Sequence, residues 1–143
     1  MNQRVPFVRI LIITSLVCVS VSPACTGNPI QPSELLLGRP FEVRPATSAI
    51  LQDGLKITFN GVRSDSRCPM DALCVWAGDA IVVVSLSEGS AGHVERELHT
   101  QSSGSETLYR AYSIKLVALA PYPRSDRQIR PEDYVATLTV EGP

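Results

Sequence analysis

The segment "AIVVVSL", Ala80–Leu86, decides the fold of this chain. It is an almost continuous apolar run, and its valines are poor helix formers because branching at Cβ restricts their rotamers in a helix. A short apolar run rich in β-branched residues suits a strand that is covered on both sides. The segment therefore predicts a central β-strand.

The runs on either side of this segment alternate between apolar and polar residues, which predicts strands with one buried face. Turn-forming stretches such as "SEGSAG" and "QSSGS" separate them, and no run shows the 3.6-residue apolar repeat of a helix. Six or seven short antiparallel strands in about 100 residues predict an all-β, two-layer antiparallel β-sandwich. An immunoglobulin-like arrangement is the leading interpretation, and a small β-barrel is the alternative. The alternating runs begin at Phe41, Leu55, Val94, Tyr112 and Tyr134.

The first 24 residues are typical of a secretory signal. Arg4 and Arg9 precede an apolar run, Ile10–Val21, that is too short to span a bilayer. The small residues after it resemble the lipobox of bacterial lipoproteins, in which the next residue, Cys25, becomes lipidated. Ordinary secretion is the alternative, because the same residues also suit the general signal peptidase.

This interpretation divides the chain into a signal peptide (1–24), a lipidated cysteine with a flexible tether (25–40) and a single β-sandwich domain (41–143). The tether prediction rests on the prolines and small polar residues of "TGNPIQPSELLLGRP". We expect an exported protein of the cell envelope that contacts the membrane through its N-terminal lipid. It would be an outer-membrane or periplasm-facing lipoprotein, with a secreted protein as the alternative.

Charge and motif content exclude several classes of function. Without the signal, the chain carries 11 basic and 14 acidic residues, a net charge of −3. That balance argues against nucleic acid as a partner, because its phosphates attract basic surfaces. There is no G-x-S-x-G elbow, P-loop or glycine-rich dinucleotide motif. We therefore expect no enzymatic activity and no cofactor.

Cys68 and Cys74 remain as a pair once Cys18 leaves with the signal and Cys25 carries lipid. An oxidising compartment would join such a pair, which predicts a disulfide that stiffens the turn before the central strand. Their spacing does not match the two-residue spacing of redox motifs, and a structural zinc site would need more ligands nearby. We expect Trp76, two residues further on, to cap the sandwich core; an exposed recognition ring is the alternative.

The stretch "GVRSDSRCPMDALCVWAGDA", Gly61–Ala80, resembles a recurring group of uncharacterised bacterial secreted proteins and lipoproteins. The segments "YSIKLVALAPYP" and "IRPEDYVATLTV" resemble the same group, and the likeness covers roughly Leu55 to Val140. The resemblance implies export and a similar fold. It implies no activity, because none is associated with the group.

A row of potential metal ligands lies in the run before "QSSGS". His93, Glu95, Glu97 and His99 share one parity, so a strand would place neighbours in the row about 6.5–7 Å apart on one face. The simpler interpretation is a solvated strand face, because the apolar residues between them would point to the core. The row is therefore only a weak candidate for a metal site.

The sequence thus predicts an exported, non-catalytic binding or envelope-structural module of unknown ligand, with an envelope protein as the partner considered. The expected contact surface is the disulfide loop, because a stiff loop on a rigid sandwich loses little entropy on binding. One alternative is a protease inhibitor with Met70 or Leu73 as the anchor, and another is a metal-binding protein that uses His93 and His99. The predicted loop residues are Arg67, Pro69, Met70, Asp71, Leu73 and Trp76.

Replacing Cys25 with serine is expected to release the protein from membranes, because the acyl chains attached there would be removed. Membrane fractionation and the mass of the mature chain measure this. Equal solubility of wild type and variant, together with a wild-type mass lacking acyl chains, would contradict lipidation and leave ordinary secretion.

Overall fold

A computed structural model of the protein describes residues 37–90 and 92–142. The predicted signal, the predicted lipidation site Cys25 and most of the predicted tether lie outside the described residues. The elements in chain order are β1 (Phe41–Val43), β2 (Thr47–Ile50), β3 (Leu55–Asp65), β4 (Ala80–Glu88), β5 (Val94–His99), β6 (Glu106–Tyr109), β7 (Tyr112–Ala120), a short 3₁₀ helix (Pro131–Asp133) and β8 (Val135–Glu141).

The strands form two four-stranded antiparallel sheets that share one apolar core. One sheet has the order β1-β8-β7-β6 and the other β2-β3-β4-β5. The chain passes from the first sheet to the second between β1 and β2, and it returns between β5 and β6. The predicted two-layer antiparallel sandwich is confirmed.

The strand order departs from the immunoglobulin-like arrangement. Immunoglobulin sheets pair strands that are distant in the chain, such as the second with the fifth. Here the neighbours within each sheet are consecutive in sequence, apart from β1 beside β8. Two strands, β2 and β6, were not recognised in the sequence, because each has only four residues and buries a single side chain.

The core consists of the inward faces of both sheets. In the predicted central strand, β4, the side chains of Val82, Val84 and Leu86 are buried in the core. Val83, on the opposite face of the strand, is also buried, as the continuous apolar run predicted. In β3 the buried residues alternate with polar ones, which matches a half-buried strand. The largest fully buried side chains are Leu55, Ile57, Phe59, Val82, Val84, Leu86, Leu98, Ile114, Leu138 and Val140.

The two ends of the sandwich differ. At one end Gly38 donates its backbone N–H to the carbonyl of Val140, 2.8 Å away, so the described chain enters beside the last residues of β8. At the other end Ala120 pairs with Val135, and the long connection from β3 to β4 begins beside them. We call these the entry end and the loop end. The seven residues of β8 separate them by about 20 Å.

The turn at residues 37–40 is the part of the predicted tether that the structure describes, and it lies against β8. Gly38, part of the predicted tether, is therefore hydrogen-bonded to the sandwich. No helix in the described ranges is long and apolar enough to cross a bilayer.

Candidate functional site

The connection between β3 and β4 is a long loop with a narrow neck. Its last paired residues, Asp65 and Ala80, are strand partners. Above them the Ser66 N–H donates to the Asp79 carbonyl (2.7 Å), and the Cys68 N–H donates to the Ala77 carbonyl (2.9 Å). The neck therefore continues the β3–β4 pairing into the loop and fixes where the loop leaves the sandwich.

Gly78 makes this neck geometrically feasible. Its φ is +69°, in the left-handed region that favours glycine. A Cβ atom built on Gly78 would lie 1.8 Å from the carbonyl oxygen of Ser66, which is far inside van der Waals contact. Only glycine fits at this position without displacing the opposite chain.

Cys68 and Cys74 form a disulfide with their Cα atoms 5.9 Å apart, which confirms the predicted pairing. Within the ring, the Ala72 N–H donates to the Pro69 carbonyl (3.1 Å), so a tight turn reverses the chain there. Pro69 itself is half-buried at the base of the ring. The disulfide and the turn together restrict the loop above the neck.

The outer part of the loop docks on the segment after β7. The Met70 N–H donates to the carbonyl of Pro123 (3.0 Å). Asp71 accepts from both the backbone N–H and the hydroxyl of Ser125, at 2.9 and 2.7 Å. These two hydrogen bonds lower the pKa of the Asp71 carboxyl, the backbone one first. Asp71 is exposed, yet it serves to attach the loop.

Arg67 is buried beneath this loop, with 6% of its surface exposed. Its Nε and Nη2 atoms donate to the two carboxylate oxygens of Asp65, at 2.9 and 2.6 Å. Nη1 donates to the Leu119 carbonyl (2.6 Å), Nη2 also donates to the Pro121 carbonyl (2.9 Å), and the Tyr122 ring lies 5.0 Å from the guanidinium. The prediction that Arg67 lies on an exposed contact surface is wrong, because its donors are directed inward to the end of β7.

The hydroxyl of Tyr134 completes this cluster by donating to Asp65, 3.1 Å away. Burial raises the pKa of the Asp65 carboxyl, but the hydrogen bonds and charge of Arg67 outweigh it, and the net pKa lies below the ordinary value. Burial, and then the charge of Asp65, raise the pKa of Tyr134 to about 12. At neutral pH the carboxylate is therefore ionised and the phenol keeps its proton.

Above these polar anchors the loop presents apolar side chains to solvent. Leu73 is fully exposed, Val75 is 90% exposed, Trp76 82% and Met70 68%. Tyr122, from the docking segment, is about half-exposed beside them. We call these five residues the apolar tip.

The expectation that Trp76 caps the sandwich core is wrong, because its side chain is exposed on the loop. The structure has the alternative, an exposed ring.

Two shallow depressions border the apolar tip. One has a volume of about 500 Å³ and is lined by residues of the disulfide ring together with Trp76. The other, of about 350 Å³, lies between Gln101 and the last part of β7. Ala77 and Tyr122 line both depressions. The loop end thus combines projecting apolar side chains with adjoining concave surface.

The row considered for metal binding does not form a cluster. Glu95 and Glu97 lie on the exposed face of β5, and both pair with Arg63 of β3. His93 lies just before β5 and is exposed. Within the described ranges no three His, Cys, Asp or Glu residues are placed to share a metal ion. The arrangement is that of a solvated strand face.

His99, the last residue of the row, faces the loop neck instead. Its Nδ1 atom hydrogen-bonds to the Asp79 carboxylate, which also accepts from the Thr100 hydroxyl (2.9 Å) and the Gln101 N–H (3.2 Å). Burial raises the pKa of Asp79, but these hydrogen bonds, with that of His99 the largest, lower it overall. Asp79 thereby joins the neck to the end of β5.

Sequence reasoning missed three contributors to this site. Val75 belongs to the apolar tip, and its position between Cys74 and Trp76 was the available signal. Tyr122 and Ser125 come from a segment about fifty residues away, and nothing local in the sequence connects them to the loop.

Comparison with family models, with curated proteins and with solved structures finds no match for this chain.

Replacing Asp65 with asparagine is expected to lower the free energy of unfolding by about 3–5 kcal/mol at pH 7, because it leaves the buried Arg67 without its counter-charge. Tyr134→Phe removes one hydrogen bond to the same carboxylate and is expected to cost about 1 kcal/mol. Urea unfolding measures both.

The wild type should also lose stability in acid. The contribution of Asp65 to the free energy of unfolding is complete above its unfolded-state pKa, near 4, and is lost as pH falls through its lower folded-state pKa. An identical acid profile for wild type and Asp65→Asn would contradict this role.

Trp76 is the only tryptophan in the chain, so its fluorescence reports on the apolar tip alone. We expect an emission maximum close to that of tryptophan in water, efficient quenching by acrylamide, and only a small shift on unfolding in urea. These follow from its 82% exposure. A strongly blue-shifted native emission would show that the ring is buried and that the tip is not formed as described.

Proposed function

We propose that this protein is an exported, non-catalytic binding module that uses the apolar tip to bind a protein partner. The observation that carries the proposal is the concentration of exposed apolar side chains on one braced loop. Single exposed apolar residues are common on protein surfaces, but a contiguous group of them is typical of an interaction site.

The energetics favour binding through this loop. Complete burial of a large apolar side chain contributes about 1.5–3 kcal/mol, so a few of these residues suffice for a specific contact. The disulfide, the neck and the Asp71–Ser125 hydrogen bonds already order the loop. A preordered loop loses less conformational entropy on binding than a flexible one.

The position of the tip supports a protein partner over a lipid bilayer. The described chain enters at the entry end, and the apolar tip lies at the opposite end of the sandwich. A lipid at Cys25, as proposed, would attach the module through its entry end, which is the end opposite the apolar tip. The concave surface beside Tyr122 also suits the irregular relief of a protein better than a flat bilayer.

The tip is tested with the double variant Leu73→Ala, Trp76→Ala. The matched control is Leu108→Ala, because Leu108 is 69% exposed on β6, away from the loop end. We expect capture of envelope proteins by the immobilised double variant to fall at least about tenfold, since apolar anchors of this kind often contribute 2 kcal/mol or more each. The control should capture as much as wild type.

Equal melting temperatures establish first that the variants are folded. Equal recovery of every captured protein by wild type and double variant would contradict the proposal. Sedimentation with lipid vesicles is measured in parallel. Vesicle binding that depends on Leu73 and Trp76, without tip-dependent protein capture, would overturn the choice of a protein partner.

A further inference from the structure

The segment from Leu73 to Trp76 combines exposed side chains with a free backbone. All four residues are exposed. Within the part of the chain that the structure describes, none of their backbone N–H groups donates to a backbone carbonyl. On one side Ala72 is held by its hydrogen bond to Pro69, and on the other Ala77 is held by Cys68. Among the described residues, the backbone donors and acceptors of this short stretch thus have no backbone partners, and the stretch lies between two fixed points.

Such a stretch suits a cleft that reads a peptide backbone together with one apolar side chain. Clefts of this kind form main-chain hydrogen bonds to the bound segment and place its side chains in pockets. The residues from Ala72 to Gly78 carry no charge, and the nearest acids, Asp71 and Asp79, are both occupied by hydrogen bonds within the protein. The fully exposed Leu73 is the side chain best placed to enter a deep apolar pocket.

The disulfide changes what happens if such a cleft belongs to a peptidase. The bond between Leu73 and Cys74 lies inside the disulfide ring. A serine nucleophile that attacks the Leu73 carbonyl forms an ester with Leu73 and releases the Cys74 amine, which takes up the serine proton. The Cys74 amine cannot leave the active site, because the Cys74 side chain is bonded to Cys68 through the disulfide and the neck holds Ala77. It stays beside the acyl-enzyme and can re-form the peptide bond, which returns the proton to the serine.

We propose that the loop inhibits serine endopeptidases that prefer large apolar side chains, with Leu73 in the primary specificity pocket. This inference rests on the proposed function, since it names the partner of the same apolar tip. A serine enzyme is specified because the reversal needs an acyl-enzyme, and because a cysteine nucleophile could attack the neighbouring disulfide instead.

The experiment uses the purified, oxidised protein against chymotrypsin, subtilisin and trypsin with chromogenic peptide substrates. Wild type is expected to inhibit chymotrypsin or subtilisin and to spare trypsin. Leu73→Lys is expected to weaken that inhibition at least about 100-fold and to create inhibition of trypsin, because the pocket residue decides the class of enzyme bound. Leu108→Lys is the matched control and should behave as wild type.

Reduction of the disulfide provides a second measurement. The reduced protein should be cleaved after Leu73 and should cease to inhibit, since the amine can then depart. Three results would overturn the inference: no inhibition of chymotrypsin or subtilisin by wild type, rapid complete cleavage of the oxidised protein without inhibition, or unchanged selectivity in Leu73→Lys. If they occur while tip-dependent capture of envelope proteins persists, the inhibitor assignment falls and the proposed binding function stands.

Discussion

The contact between Arg67 and Asp65 determines how the loop end is organised. Asp65 ends β3 in one sheet, and the carbonyls of Leu119 and Pro121 belong to the end of β7 in the other and the residue after it. One guanidinium therefore joins both layers where the apolar core ends. Strand β6 pairs only with Tyr112 to Lys115 and does not reach the end of β7. Arg67 supplies hydrogen-bond donors to the carbonyls there. A buried charge is tolerable there because nearly all of its donors are used.

At the loop end, polar contacts lie next to the sandwich and apolar side chains lie farther from it. The part next to the sandwich is polar and internally paired, through Asp65, Arg67, Asp79 and the Asp71–Ser125 contact. Its outer part consists of the side chains of the apolar tip, most of which are exposed to solvent. The polar contacts hold the loop at fixed positions, so the apolar tip does not collapse onto the sandwich. This explains how large side chains remain exposed on a loop that is nevertheless well ordered.

The sequence predicted the layers of the fold because burial leaves a local record. The valines of β4 and the alternation in β3 and β8 follow directly from which face meets the core. Strand order left no such record, since an immunoglobulin-like order and the observed consecutive order require the same alternation. The disulfide followed from cysteine count. The inward direction of Arg67 did not, because its partners at and just after the end of β7 are distant in the chain.

The narrow neck makes the loop interchangeable in principle. Asp65 and Ala80 are already strand partners, and two further backbone contacts close the chain above them before the tip begins. The length and composition of the segment from Ala72 to Trp76 therefore have little bearing on strand register below. Different short sequences grafted between Asp71 and Ala77, with Cys74 and Gly78 retained, would make this sandwich a display scaffold whose specificity varies independently of its folding.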